Sequence, residues 1–342
     1  MKNPLNFLAF SATVLAAVSC HPTNLPDTQL GDWTQAAAIG AYPRSHSVCF
    51  VLGDRAYVGL GYNEHVGGRG RLSDFWVFSV DSGWKQLQDF PGAPRSHATG
   101  FNLGDFGYVG TGYDGLETYN DFYRYDPALN QWTVKAPLPG GARYDAVGFG
   151  VQGKGYIGTG YNIYWMNDFY QYDPQKDSWA LMQGTAGNFS KRQGATTFIY
   201  KDKAYIVGGS NNNVMVRDFW QLDPSQPVPW KRLNDITNTN DKTFDDGYSD
   251  IERQNAIAFV NGDQAFLTTG TNGTMITSTW AYDFVSDQWS PRTAFPRQPR
   301  YGAVGFTISG KSFLGTGNTG SNVTFDDFEQ FLPTVPFNAN DF

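Results

Sequence analysis

Six arginines recur along the chain at nearly even spacing: Arg44, Arg95, Arg143, Arg192, Arg253 and Arg300. Successive steps are 51, 48, 49, 61 and 47 residues. A guanidinium is a planar fork that grips a carboxylate through two parallel hydrogen bonds. Six of them gathered on one face would make a cationic ring for an acidic ligand. The same fork can serve the fold instead. An aspartate follows in five of the six copies, at Asp74, Asp121, Asp168, Asp218 and Asp327. A buried arginine without a partner is costly, so the recurring pair favours a structural salt bridge. The fifth copy has Ser278 in that place, which leaves Arg253 without its expected partner.

The residue two places after each arginine varies: His46, His97, Asp145, Gly194, Asn255 and Gly302. A constant framework with one variable slot is how a repeat scaffold carries a binding site, so His46, His97 and Asp145 are ligand-binding candidates. Further along each copy lies a loop rich in stacking and hydrogen-bonding groups. Tyr62, Tyr113, Tyr161, Tyr164, Trp165, Asn211 and Asn272 are its candidates. Function concentrates on such loops. A glycosidase would need two facing carboxylates, for which Glu64, Asp114, Glu117 and Asp145 are the candidates on this face.

The elements that must position these residues follow from the repeat. An apolar strand follows each arginine, as in Ala146-Val147-Gly148-Phe149-Gly150-Val151. A tight turn such as Gly53-Asp54 or Gly153-Lys154 leads to a second strand, which ends in glycine in every copy: Gly61, Gly112, Gly160, Gly209, Gly270 and Gly317. A third, aromatic strand opens with Asp-Phe, and a fourth carries one tryptophan: Trp84, Trp132, Trp179, Trp230 and Trp289. The sixth copy has none. Trp33, just ahead of the first arginine, supplies the missing one. The reading is an all-β, six-bladed β-propeller of four-stranded antiparallel blades, closed by the N-terminal strand around Trp33. The connections after the second and fourth strands share one face, which carries the arginines, and the long stretch from Lys231 to Asp250 is placed to overhang it.

The glycine motif after an apolar strand, with its spaced Tyr and Trp, resembles the kelch repeat from Arg44 to about Pro333. Gly208-Gly209 gives the usual double glycine; other copies write Gly-Thr-Gly or Gly-Leu-Gly. Kelch propellers include protein-binding modules, sialic acid mutarotases and copper oxidases resembling galactose oxidase. The mutarotase likeness, seen in phrases such as Tyr57-Val-Gly-Leu-Gly, implies an arginine and a carboxylate for ring opening of an acidic sugar. Arg253 or Arg95 with Glu64 or Glu117 would be the components. The copper likeness implies two His, two Tyr and a cross-linked Cys. His46, His97 and His65 or Tyr62 approach that set, but Cys49 sits mid-strand without a tyrosine partner. No metal site and no cofactor are expected. Gly-x-Ser-x-Gly, His-Glu-x-x-His and phosphate-loop motifs are absent from the sequence.

The net charge is −7, and no basic run occurs, which argues against nucleic acid as partner. Lys2 followed by the apolar stretch Leu5 to Val18 reads as a signal segment over residues 1–19. Ala17-Val18-Ser19-Cys20 resembles the lipobox of bacterial lipoproteins, which implies lipidation at Cys20 and a tether over 20–30. One propeller domain, 31–342, completes the organisation. The expectation is an exported, lipid-anchored, monomeric module of the cell envelope. It would bind an envelope protein, a glycan or a small sugar, with a sialic acid mutarotase or epimerase as the alternative.

Overall fold

The computed structural model of the chain describes residues 30–341 except 68, 183–188, 240, 242 and 322. The signal segment, Cys20 and nearly all of the tether lie outside the described residues. Six four-stranded antiparallel sheets form a six-bladed β-propeller. Each blade runs strand a to strand d from the axis outward. Blade one is Val48–Leu52, Arg55–Gly59, Phe75–Ser79 and Gly83–Gln86. Blades two to five repeat this from Thr99–Leu103, Val147–Val151, Thr196–Tyr200 and Ile257–Asn261. Blade six takes Val304–Ile308, Lys311–Gly315 and Phe328–Pro336 from one end of the chain and Leu30–Ala36 from the other.

That last pairing closes the ring in the way the displaced tryptophan implies. Trp33 stands opposite Phe331, is fully buried, and packs at a tilt on Phe331 and edge-to-face on Phe295. Its indole N–H donates to the Thr293 carbonyl of blade five at 3.3 Å. Trp84, Trp132 and Trp179 do the same, donating to Ala37, Gln88 and Ala136 in the segment leaving the preceding blade. Phenylalanine of strand c meets the strand d tryptophan of the next blade at Phe75–Trp132, Phe122–Trp179, Phe169–Trp230, Phe219–Trp289 and Phe328–Trp84, all 4.8–5.6 Å apart. The core is therefore a set of aromatic layers between blades, each of which buries apolar area that neither blade could cover alone.

The strand b glycines stitch blade to blade. Each donates its N–H to the carbonyl of the next blade's arginine: Gly61 to Arg95, Gly112 to Arg143, Gly160 to Arg192, Gly209 to Arg253, Gly270 to Arg300, and Gly317 back to Arg44, at 2.7–2.9 Å. The φ angles lie between 89° and 110°, and a Cβ on Gly160 would come within 2.8 Å of the Tyr144 carbonyl. Only glycine fits. The residue before it is also left-handed, and there Thr159 at φ 59° carries a buried hydroxyl with no hydrogen-bond partner.

Two stability predictions follow from these contacts. Gly160→Ala should lower the unfolding free energy by roughly 3 kcal/mol, whereas Thr159→Gly, which restores a double glycine, should change it by less than about 1 kcal/mol. Urea midpoints of the two variants decide this, and equal losses would refute it. Trp33→Ala should lose about 3–5 kcal/mol in the same assay; a loss as small as a surface substitution's would mean that the N-terminal strand is dispensable to closure.

Candidate functional site

The six repeat arginines are wholly buried. Arg143 shows the pattern: Nε donates to the Gly141 carbonyl, Nη1 to the carbonyl of left-handed Thr159 at 3.0 Å, and both Nη atoms to Asp168 at 2.6 and 3.0 Å. Arg44–Asp74, Arg95–Asp121 and Arg300–Asp327 are equivalent bidentate pairs, and Arg192 binds Asp218. Arg253 replaces the missing aspartate with the Ser278 hydroxyl at 2.7 Å and with Asp250, whose carboxylate lies at 3.5 Å. Burial lowers the Arg253 pKa to about 10, which leaves it charged at neutral pH. Arg95 and Arg253, the cations weighed for catalysis, thus lie inside their blades. Glu64 sits 3.4 Å from His65, Glu117 is exposed on its loop, and neither forms an ion pair with an arginine among the described residues.

The variable slot forms the mouth of the central channel. All six residues are left-handed, with φ between 50° and 62°. Their backbones close a ring of hydrogen bonds: His46 N–H to the Gly302 carbonyl, His97 to His46, Asp145 to His97, Gly194 to Asp145, Asn255 to Gly194, and Gly302 to Asn255, at 2.7–3.0 Å. Each side chain lies toward a neighbouring blade. A Cβ on Gly302 would strike the His46 ring at 2.7 Å, and one on Gly194 would strike Asn255 Oδ1 at 2.6 Å. The glycines make room for their neighbours. The mouth encloses a cavity of about 120 Å³.

Within it His46 and His97 stack at 3.7 Å, and His97 Nδ1 meets Asp145 Oδ1 at 2.6 Å. Burial, then the neighbouring His97, lowers the His46 pKa to about 3, so His46 is neutral at physiological pH. Burial pushes Asp145 up, but the attraction and hydrogen bond of His97 outweigh it and hold the carboxyl below its ordinary range. A carboxylate accepting from Nδ1 places the proton there and leaves Nε2 as a base. Stacked rings direct their lone pairs in nearly parallel planes, unlike ligands converging on one ion. Among the described residues no group of three or more His, Cys, Asp or Glu could hold a metal. Burial pushes the Cys49 thiol, in the channel wall, up to about 12.

Around the mouth the face is two-sided. Tyr113, Tyr144, Tyr161 and Trp165 form a continuous aromatic arc with ring separations of 4.9–5.6 Å. Arg71 extends it, its guanidinium 4.4 Å from the Tyr62 ring and 5.6 Å from Tyr113. The other side carries amides and hydroxyls, Gln193, Ser210, Gln254, Asn255, Thr271 and Asn318, together with Tyr301, whose ring lies 5.3 Å from His46. There Ser210 Oγ donates to Gln254 Oε1 at 2.5 Å, and Gln193 Oε1 is buried without a partner. Tyr164, Asn211 and Asn272 lie at the periphery: Tyr164 and Asn211 on the small hairpins 161–165 and 210–215, and Asn272 in an exposed turn where it accepts from Thr274. Leu233, Ile236 and Tyr248 of the 231–250 connection pack in the core of blades four and five, and the Tyr248 hydroxyl accepts from the Trp289 N–H at 2.7 Å. Sequence reasoning missed Tyr144, which read as part of the constant Arg-Tyr-Asp phrase, and Arg71, which lies past the loop tip.

No protein-family model matches the chain. Its distant homologues are N-acetylneuraminate epimerases, and the six-bladed fold is consistent with a kelch-type propeller related to them. The chain is 32% identical over 220 residues to the N-acetylneuraminate epimerases of Escherichia coli strain K12 and of strain O139:H28, and 28% identical over 217 residues to that of Shigella sonnei. The match covers 62% of this chain but 41% of each relative's length. The solved structure of YjhT superposes with a TM-score of 0.69 at 17% identity, over 84% of this chain and 94% of that one, which shows the shared fold.

The mouth makes a pH prediction. His46 has a folded pKa of about 3 against about 6.5 unfolded, so the unfolded chain binds a proton that the fold refuses. Stability is full above pH ~6.5 and falls on acidification by up to roughly 1.4 kcal/mol per pH unit. Asp145, depressed below its ordinary range, acts only at lower pH. His46→Asn, which copies Asn255, should flatten the loss between pH 6.5 and 4.5. Urea unfolding at these two pH values tests it; an unchanged loss would contradict it.

Proposed function

We propose that this propeller binds a sugar of the sialic acid class on its ring face and equilibrates the two anomers. The observation that carries the reading is the His97–Asp145 pair, at 2.6 Å, in a mouth bordered by an aromatic arc on one side and amides on the other. Aromatic faces pack against the apolar side of a pyranose, and amides and hydroxyls satisfy its hydroxyl groups. The names of the distant homologues support the same substrate class.

Mutarotation needs no redox partner and transfers no group. His97 Nε2 accepts the proton of the anomeric hydroxyl while Asp145 stabilises the imidazolium. The bond from the anomeric carbon to the ring oxygen breaks, and the ring oxygen takes up a proton from the imidazolium, directly or through one water. The open-chain ketone rotates and closes on its other face, and the protons return by the same route.

Anomer exchange of N-acetylneuraminate followed by NMR tests this. His97→Gln and Asp145→Asn should each slow catalysed exchange by roughly 100-fold or more. A wild-type rate equal to that of buffer sinks the catalytic reading. Binding without exchange would instead favour a non-catalytic module for a protein or glycan. The exposed apolar tips Leu116, Ile163, Tyr164 and Val214, which crown this face, support that second reading. In either case, anchoring through Cys20 would attach the tether at the face opposite the ring, where the chain enters blade six at Leu30 beside Pro336.

A further inference from the structure

Arg71 differs from the six repeat arginines in what answers its charge. Each of those has an acidic partner, at the start of strand c or, for Arg253, in the segment that enters the blade. Among the described residues no carboxylate lies within ion-pairing distance of Arg71. Its Nε and Nη1 donate to the main-chain carbonyls of Tyr113 and Arg69 at 3.3 and 3.0 Å, and its plane lies against Tyr62 and Tyr113. None of these partners is an anion. The nearby acid, Asp114, is occupied by the backbone N–H groups of Leu116 and Glu117, by the Tyr119 hydroxyl and by Arg69. The backbone of Arg71 is paired with Tyr62, and its guanidinium is held by the two carbonyls and the Tyr62 ring. Burial lowers its pKa, and its charge adds, after burial and the neighbouring His97, to what lowers the His46 pKa.

A half-buried guanidinium held by carbonyls and aromatic rings, attracted by Asp114 but with no carboxylate at ion-pairing distance among the described residues, is a receptor for a carboxylate. Resting on the sugar-binding reading above, the geometry points to Arg71 as the residue that holds the ligand's carboxylate and selects an acidic ketose over a neutral sugar. In a 2-keto sugar acid the carboxylate is bonded directly to the anomeric carbon. Fixing it at Arg71 therefore places the reacting centre one carbon–carbon bond from the bound carboxylate, on the face that carries the His97–Asp145 pair.

Calorimetric titration of the whole chain with N-acetylneuraminate and with its neutral methyl ester separates the possibilities. The wild type should bind the acid at least about 10-fold tighter than the ester, with a preference that weakens as salt is added. Arg71→Met should abolish the preference while leaving ester binding within roughly threefold, and Arg71→Lys should restore part of it. Thermal melts of both variants report that the fold is intact. Equal wild-type binding of acid and ester, or a preference that survives in Arg71→Met, overturns the assignment of Arg71 while the sugar-binding reading stands. Binding of neither compound to the wild type at millimolar concentration overturns both.

Discussion

The buried guanidinium at the start of each repeat is the interaction on which the rest depends. Removing an arginine from water is expensive, and its salt bridge repays the cost only when every donor is satisfied. Here one side chain reaches the carbonyl of the entering segment, the carbonyl that ends strand b, and the acid that opens strand c. It thereby fixes three pieces of its own blade. Its main-chain carbonyl accepts from the previous blade's glycine, so the same residue also sets the joint between blades. Thr111, Thr159, Thr269 and Thr316 adopt left-handed backbone, unusual for β-branched residues, at the point where an arginine Nη1 holds their carbonyl.

A framework saturated in this way frees other positions to differ. The slot two residues on contributes its backbone to the mouth ring whatever side chain it carries, so His, Asp, Asn and Gly all occupy it. Choice of side chain is constrained only by the neighbour that leans across it, as His46 leans over Gly302. Symmetric backbone with asymmetric side chains is what permits one half of the face to be aromatic and the other to be amide. The pairing of two slot residues as His97 and Asp145 is a product of that freedom, since neither is needed to hold the ring.

Most of the fold was legible because its determinants are local in the repeat. The glycine, the Asp-Phe pair and the tryptophan recur at fixed places, and the absence of one tryptophan near Phe331 pointed to Trp33. The site was less legible because its contacts run between blades. His97 and Asp145 are 48 residues apart, and only the radial arrangement brings them to 2.6 Å. Arg71 stacks on Tyr113 of the next blade, a contact that no spacing within a repeat reveals. Conversely, the carboxylates nearest to the arginines in sequence pattern, Glu64 and Glu117, stay on their loops, because the arginines are already bound below them.

Blade five shows how far the arginine hub constrains its surroundings. Ser278 cannot neutralise Arg253, and its hydroxyl supplies a neutral acceptor only. A buried cation in that setting needs an acid from elsewhere. The long connection before the blade provides it: Ile251, Tyr248 and Ile236 pack into the core, and the chain turns so that Asp250 presents both its carbonyl and its carboxylate to Arg253. Asp250 also accepts from the Trp280 indole at 2.9 Å, as Asp74 accepts from Trp76 in blade one at 2.7 Å. The acid has therefore moved from strand c to the entering segment while keeping both of its partners. That requirement gives the connection a structural role: Ile236 and Tyr248 anchor it in the core, and its last residue answers the buried charge of Arg253.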